Sequence, residues 1–171
     1  MGSMNLKVIA FDVFGTVFDL SKVERSEVKA YANHIRKPEW SPLKLPASWE
    51  SLPALPDSRE GLAMLRERFL VVTMSNGPLG LLSKLSKHNG ISWDAIVPLE
   101  MKRVYKPNPA AYLTICDVFD VQPSEVMMVT ANEHFGDLEA SRSVGMTPKL
   151  IRTEACRTII DLACDLKAVA P

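Results

Sequence analysis

Short runs of consecutive apolar residues recur along the chain, and polar residues follow each of them at once. The three clearest runs are L-K-V-I-A-F at residues 6–11, F-L-V-V-T-M at 69–74 and V-M-M-V-T at 126–130. Runs of this length that are rich in β-branched residues and free of proline favour buried strands. Shorter runs at residues 96–99 and 147–151 bring the predicted number of strands to about five.

Apolar residues between these runs are spaced three or four apart, which indicates helices with one buried face. Three such sets follow Ser58, Pro78 and Pro109, and a last helix is predicted over residues 154–166. Strands that alternate with helices are typical of a parallel sheet with helices packed on it. The pattern therefore predicts a single α/β domain.

Residues 21–57 interrupt this alternation. A polar helix is predicted over residues 22–35, and the following stretch carries five prolines together with Trp40 and Trp49. Prolines at that density exclude a regular helix or a central strand. We expect an irregular insertion packed by its tryptophans, with the core formed by residues 4–20 and 58–171 and residues 1–3 left over from cloning.

Charge, hydropathy and cysteine content argue against several classes of function. Twenty Lys and Arg balance twenty Asp and Glu, so there is no long-range field to hold nucleic acid or an anionic membrane. The chain has no apolar run long enough to span a bilayer and no secretory leader pattern. Three widely spaced cysteines predict reduced thiols in the cytoplasm.

The candidate functional residues lie where the predicted strands end. Ligands of open parallel sheets bind beyond these carboxyl ends. Asp12 follows the first strand, Ser75 and Asn76 follow the second, and Asn132 with Asp137 follow the third. Lys106 lies in a turn before a helix. Taken singly, these residues also fit a turn, a helix cap or a solvated charge.

Four segments resemble the motifs of the haloacid dehalogenase superfamily. They read F-D-V-F-G-T-V-F-D at residues 11–19, S-N-G at 75–77, V-Y-K-P-N-P-A-A-Y at 104–112, and M-V-T-A-N at 128–132 followed by G-D-L at 136–138. The resemblance implies a Rossmann-like hydrolase core in which residues 21–57 form a reduced cap. Within the superfamily the chain is most similar to the L-2-haloacid dehalogenases.

Phe14 is the residue that favours a dehalogenase over a phosphatase. Phosphatases of the superfamily carry a second aspartate two residues after the nucleophile, where it protonates the departing alkoxide. Phe14 cannot transfer a proton, and a halide leaves without one.

The resemblance also implies roles around the nucleophile. Asp12 would attack the carbon that bears the halogen and form an ester that water then hydrolyses. Lys106 would keep Asp12 ionised and oriented, and the Thr16 hydroxyl would hold its carboxylate. Phe14 would border the substrate. As an exposed lysine, Lys106 is expected to be replaceable without loss of the fold.

The other motif residues would bind substrate or assist hydrolysis. Ser75 and Asn76 would donate hydrogen bonds to the substrate carboxylate, and Tyr112 would lie beside the site. Asn132 and Asp137 would orient either the hydrolytic water or Lys106. The implied substrate is a small 2-halocarboxylate, and no metal or other cofactor is implied.

Three departures from the family pattern concern the cap and the fourth motif. The insertion has only about 40 residues, with Arg25 and Arg36 as candidates for the arginine that holds the departing halide. Asp137 comes two residues later than the dehalogenase spacing. No other cap follows the second motif, so the site is expected to be open or closed by a second copy in a homodimer.

Two other functions remain open at this stage. One is a Mg²⁺-dependent phosphatase on the same scaffold, with Asp12 and Asp137 as metal ligands. The other is a weakly active or non-enzymatic binding protein that keeps the fold.

Overall fold

Four parallel strands form the central sheet in the computed structural model, which describes residues 5–168. The strands are β1 (Val8–Phe11), β2 (Leu70–Thr73), β3 (Val126–Thr130) and β4 (Thr147–Leu150), in the spatial order β2-β1-β3-β4. The helices are α1 (Arg25–Ile35), α2 (Ser58–Arg66), α3 (Leu79–Asn89), α4 (Pro109–Phe119), α5 (Asp137–Ser143) and α6 (Ile159–Ala168). Short 3₁₀ turns lie at Leu20–Lys22, Ala47–Ser51, Leu99–Lys102 and Pro123–Glu125.

The predicted α/β class is confirmed, but the sheet of the described chain has four strands and not about five. Residues 96–99, which were predicted as a further strand, do not pair with the sheet. A single β-bridge just before them joins Ala95 to Val72 of β2. Side chains replace the missing ladder, because the Thr73 hydroxyl accepts from Val97 N at 3.0 Å. Pro98 then has no N–H to donate, and a 3₁₀ turn begins at Leu99.

Apolar side chains fill both faces of the sheet. Successive residues of β1 alternate between the two layers, so that Ile9 and Phe11 pack on one face while Val8 and Ala10 pack on the other. All four are fully buried, as expected for a central strand covered by helices on both sides. This burial fixes the carboxyl end of β1, where Asp12 follows.

The insertion is anchored to the core by one tryptophan. Trp49 is fully buried, and its indole N–H donates to Glu27 of α1 at 3.2 Å. Its ring meets the edge of Phe14 at a centroid distance of 5.0 Å. Trp40 instead packs on Tyr105, in a separate apolar cluster. The insertion thus contacts the core on both sides of the sheet end.

Two further expectations from the sequence concern the start of the chain and membrane-spanning segments. Residues 1–3, interpreted as a cloning remainder, are outside the described residues. Within residues 5–168, no helix is both long and apolar enough to cross a membrane.

Helix α2 packs closely on α6 at Gly61, and this contact can be tested by its effect on stability. A Cβ at Gly61 would lie 2.7 Å from Ile159 Cβ and 2.8 Å from the Ile159 carbonyl carbon. We expect Gly61→Ala to lower the free energy of unfolding by about 1 to 3 kcal/mol through overpacking, although alanine is the better helix former by about 1 kcal/mol.

Gly80 in α3 is the matched control, because a Cβ there meets nothing within 4 Å. Gly80→Ala is expected to leave the free energy of unfolding unchanged or to raise it by up to about 1 kcal/mol. Urea denaturation of both variants measures the difference. Equal effects of the two substitutions would contradict the close approach of α2 and α6.

Candidate active site

A buried lysine lies between two carboxylates at the carboxyl ends of the strands. Lys106 Nζ is 2.8 Å from Asp12 Oδ1 and 3.1 Å from Asp137 Oδ2. The side chain of Lys106 is 1% exposed and that of Asp137 is 0% exposed, whereas Asp12 keeps 13% exposure. Asp12 is therefore the member of the cluster that a small molecule can reach.

The turn after β1 positions Asp12. Its backbone N–H donates to Val129 O at 2.8 Å, which extends the pairing of β1 with β3 by one residue. The Thr16 hydroxyl donates to Asp12 Oδ2 at 2.8 Å and accepts from Ala131 N at 2.9 Å. Gly15 adopts a φ of +81°, a backbone conformation that L side chains rarely adopt. Thr16 therefore fixes the carboxylate and joins the loops after β1 and β3.

The S-N-G segment after β2 holds the main chain of Lys106. Asn76 Oδ1 accepts from Lys106 N at 2.7 Å, and Asn76 Nδ2 donates to Lys106 O at 3.1 Å. The Ser75 hydroxyl accepts from Gly77 N at 3.0 Å. Both Ser75 and Asn76 are almost completely buried. The amide of Asn76 thus acts as a two-point clamp on the lysine segment.

Asp137 reaches the cluster as the first residue of α5. Its Oδ1 accepts a hydrogen bond from the hydroxyl of Tyr112, which is fully buried in α4. Asn132 is exposed, and its Oδ1 accepts from His134 N at 3.0 Å within the same loop. The loop between β3 and α5 thus accommodates the two extra residues of the fourth motif and still places Asp137 beside Lys106.

Burial and charge act against each other in this cluster. Burial raises the pKa of Asp12 above its ordinary value, the Lys106 ammonium opposes that rise, and the Asp137 carboxylate adds to it. Burial alone would lower the pKa of Lys106, but the two carboxylates outweigh it and the pKa is raised. Burial and Asp137 likewise raise the pKa of Tyr112, which remains a hydrogen-bond donor. The arrangement keeps a positive charge beside Asp12.

A cavity of about 240 Å³ opens over Asp12. The insertion supplies one wall and the loop after β3 supplies the other. The lining residues are Asp12, Phe14, Leu20, Val28, Tyr31, Ala32, Arg36, Asn132, His134 and Phe135. Of the two candidate arginines, Arg36 lines this cavity, and Arg25 lies at the exposed start of α1 without lining it.

Tyr31 is a cavity residue that the sequence did not reveal. Its ring lies 6.0 Å from Phe14 and 5.5 Å from Trp49, measured between centroids, so that Phe14 and Tyr31 line the cavity with Trp49 packed against both. Burial and the Asp12 charge raise the pKa of Tyr31, and the Asn76 amide opposes the rise. The phenol therefore stays protonated and presents a donor near Asp12. Nothing in the polar sequence of α1 marks this residue.

Arg152 is a second residue without a sequence signal. Its guanidinium donates to Thr16 O at 3.0 Å and to Asp57 Oδ1 at 2.6 Å. Asp57 also accepts from Ile159 N at 2.7 Å, at the start of α6. Arg152 thus supports the Asp12 turn from behind, at a distance in sequence that no local pattern encodes.

The carboxylates of Asp12 and Asp137 do not form a site suited to Mg²⁺. Each of their four oxygens already accepts from Lys106, Thr16 or Tyr112. Within residues 5–168, no group of three or more His, Cys, Asp or Glu residues is placed to hold a metal ion. The Lys106 ammonium lies where both carboxylates converge.

Comparisons with known proteins agree on one family. A family model described as haloacid dehalogenase-like hydrolase matches residues 41–145. An (S)-2-haloacid dehalogenase of Xanthobacter autotrophicus is 25% identical over 174 residues, which cover 74% of this chain and 68% of the relative. (S)-2-haloacid dehalogenase 4A of Burkholderia cepacia is 30% identical over 92 residues, which cover 52% of this chain but only 40% of that relative.

Solved structures show the same fold. The L-2-haloacid dehalogenase from Xanthobacter autotrophicus has a TM-score of 0.77 at 18% identity, over 96% of this chain and 100% of that chain. Its structure with chloropropionic acid covalently bound has a TM-score of 0.69 at 21% identity, over 97% of this chain and 85% of that one.

The expectation that Lys106 is an exposed lysine is wrong, since its side chain is 1% exposed, and this burial removes the ground for expecting that it can be replaced without loss of stability. We expect Lys106→Met to lower the free energy of unfolding at pH 7 by about 3 to 5 kcal/mol, because Asp12 and Asp137 lose their shared counterion. The loss should shrink at acidic pH, where the carboxyls take up protons.

Lys102→Met is the control, since Lys102 is exposed and lies 3.8 Å from exposed Asp117. Its effect on unfolding is expected to stay below about 1 kcal/mol. The double variant Lys106→Met/Asp137→Asn should recover part of the stability by removing one uncompensated charge. Urea denaturation in which Lys106→Met matches Lys102→Met would contradict the buried cluster.

Proposed function

Because the chain belongs to the haloacid dehalogenase-like hydrolase family, we propose that it hydrolyses the carbon–halogen bond of a small 2-halocarboxylate through an ester on Asp12. The observation that carries the proposal is the state of Asp12. It is partly exposed at a cavity of about 240 Å³, and Lys106 and Thr16 each hold one of its oxygens at 2.8 Å. A fixed, partly desolvated carboxylate is suited to nucleophilic attack.

Phe14 supports a halide over an alkoxide as the leaving group. Its ring lines the cavity and packs against Tyr31 and Trp49, so the position next to the nucleophile is apolar. An alkoxide leaving from phosphorus needs a proton that phenylalanine cannot supply, whereas a halide leaves as a stable anion. The Lys106 ammonium also lies between Asp12 and Asp137, where a shared Mg²⁺ would have to compete with it.

In the first step, one Asp12 oxygen attacks C2 of the substrate from the side opposite the halogen. The C–O bond forms as the C–halogen bond breaks, and the halide leaves with the bonding electron pair. In-line attack directs the halide away from Asp12, toward the wall supplied by α1. Tyr31 and Arg36 are the polar residues of that wall, and we assign Arg36 to the anions of the reaction.

In the second step, water attacks the carboxyl carbon of the Asp12 ester. The C–O bond to the Asp12 carbon breaks, a 2-hydroxy acid departs, one proton is released and the Asp12 carboxylate is restored. Asn132, which lines the cavity, is the proposed residue for orienting the water. Asp137 orients Lys106, with Tyr112 holding Asp137. The related enzyme with chloropropionic acid covalently bound is a precedent for such an adduct.

The second motif and the insertion complete the proposal. Ser75 and Asn76 frame the carboxylate end of the substrate, with Asn76 also clamping Lys106 and contacting Tyr31. Residues 21–57 serve as a reduced cap on a core of residues 4–20 and 58–171. This cap covers Asp12 with one aromatic wall in place of a full helical domain.

The direct test is halide release from 2-chloropropionate, with p-nitrophenyl phosphate as the competing substrate and each assayed with Mg²⁺ and with chelator. We expect halide release that is unaffected by chelator, and phosphate ester hydrolysis near background. Asp12→Asn should abolish halide release, because the amide cannot act as the nucleophile.

Arg25→Gln, which changes an exposed residue outside the cavity, is the control and should keep full activity. Strong Mg²⁺-dependent phosphatase activity of the unmodified protein would replace the proposal with the phosphatase function. Absence of both activities in the folded protein would favour a binding role.

The raised pKa of Asp12 sets the direction of the pH profile. Asp12 must be ionised to attack, so activity falls as pH falls through its pKa, and burial moves that fall above the ordinary value of 3.8. We expect the acidic limb of kcat/KM to lie above pH 3.8. Thr16→Val should move the limb to higher pH, because the Thr16 hydrogen bond lowers the pKa of Asp12.

Steady-state halide release between pH 3.5 and 8 measures both profiles. Ser48→Ala, which removes an exposed hydroxyl bonded to Glu27, is the control and should leave the limb unchanged. A limb at or below 3.8, or a downward shift in Thr16→Val, would contradict the electrostatic account of Asp12.

A further inference from the structure

A second and larger cavity, of about 410 Å³, lies beside the cavity over Asp12. It is formed by the end of α1 and the turn after it, together with the segment that leads into α4. Its lining residues are Ile35, Arg36, Lys37, Pro38, Trp40, Arg103, Val104, Tyr105, Lys106, Pro107 and Asn108. Arg36 borders both cavities, whereas Lys106 borders only the larger one and Asp12 only the smaller one.

The charges around this cavity are all positive. Lys106 is neutralised by its two carboxylates, which leaves Arg36, Lys37 and Arg103. In the described part of the chain, none of these three side chains lies within the 4 Å ion-pair distance of a carboxylate, and no Asp or Glu lines the cavity. Because the whole chain has zero formal charge, this is a local excess of cations.

The indole of Trp40 carries an unsatisfied donor at the same place. Trp40 Nε1 is buried and has no hydrogen-bond partner, an arrangement that costs free energy in a folded protein. The ring is stacked on Tyr105 at 6.2 Å, and the Arg103 guanidinium lies over the ring, 5.8 Å from its centroid. The unsatisfied donor thus belongs to a residue that lines the cavity beside Arg103.

Arg103 is held there by an uncommon backbone conformation. It has a φ of 51° and a ψ of 43°, in the left-handed region that non-glycine residues seldom occupy. Such strain persists where the surrounding structure imposes it, and it is concentrated at binding and catalytic sites. Here it places the guanidinium at the cavity.

We infer that this cavity is a second ligand site, which binds a small molecule with a carboxylate or phosphate group on an apolar body. The cationic side chains and the indole N–H suit the anionic group. Ile35, Pro38 and Val104 suit the apolar body, and the volume lies within the ordinary range for small-molecule sites. The site shares Arg36 with the cavity over Asp12, but Lys37, Trp40 and Arg103 belong to it alone, and its binding does not depend on the reaction proposed for Asp12.

Calorimetric titration of the full chain with phenylacetate and with phenyl phosphate tests the site and separates the two anion types. Benzyl alcohol serves as the uncharged probe. At least one anion should bind the wild type at millimolar concentration or tighter, and benzyl alcohol at least tenfold more weakly. Asp12→Asn should not weaken binding, because it removes only a negative charge, and this result would distinguish the site from the cavity over Asp12.

Two substitutions localise the binding. Arg103→Asn keeps a residue that tolerates a left-handed backbone but removes the guanidinium, and it should weaken anion binding about tenfold or more. Trp40→Phe keeps the ring but removes the N–H, and it should weaken binding severalfold without lowering the thermal midpoint of the unliganded protein. Arg25→Gln, at an exposed arginine outside both cavities, should bind like the wild type.

Three results would overturn the inference. They are no binding of either anion at 10 mM, equal affinities of Arg103→Asn and Arg25→Gln, or loss of binding in Asp12→Asn. A Trp40→Phe protein with unchanged affinity and lowered stability would assign Trp40 a packing role alone and would also count against the site.

Discussion

The site depends on one buried positive charge. An ammonium group with 1% exposure is tolerated only when carboxylates compensate it, and Lys106 has two of them within 3.1 Å. This constraint requires residues distant in sequence to meet. Asp12 must come from the end of β1, Asp137 from the start of α5, and Asn76 must hold the lysine backbone from the end of β2. The loops at this edge of the sheet are therefore fixed by electrostatics as well as by packing.

The same constraint gives the two carboxylates of the cluster different environments. Asp137 and Asp12 are both carboxylates on one lysine, but Asp137 is fully enclosed and also accepts from Tyr112. Asp12 keeps 13% exposure and faces the cavity. One carboxylate is thus committed to holding the lysine, while the other is available to a substrate. Environment thus separates two residues of the same chemical type.

Local pattern was enough to predict most of the fold. The strands β1, β2 and β3 coincide with apolar runs, and their parallel order brings their polar ends to one edge, so the meeting of Asp12, Asn76 and Asp137 follows from topology. The further strand did not form because its backbone pairs with β2 only at Asp94 and Ala95. The next bond, from Val97 N, goes to the Thr73 hydroxyl, which a hydropathy pattern does not register. The burial of Lys106 could not be predicted for a related reason, since tertiary contacts decide how deeply a turn residue is buried.

The wall of the cavity was harder to predict, because it is built by a polar helix. Ile35 is the one buried residue of α1, which is polar on average, yet Tyr31 lines the cavity, as does Arg36 directly after the helix. What fixes α1 is a distant partner, since Trp49 donates to Glu27 and packs its ring on both Tyr31 and Phe14. Phe14 therefore has a structural role as well as a chemical one, because its ring joins the nucleophile turn to the insertion. A short insertion can cover the nucleophile only if such an aromatic contact fixes it, which links the apolar residue beside Asp12 to the small size of the cavity.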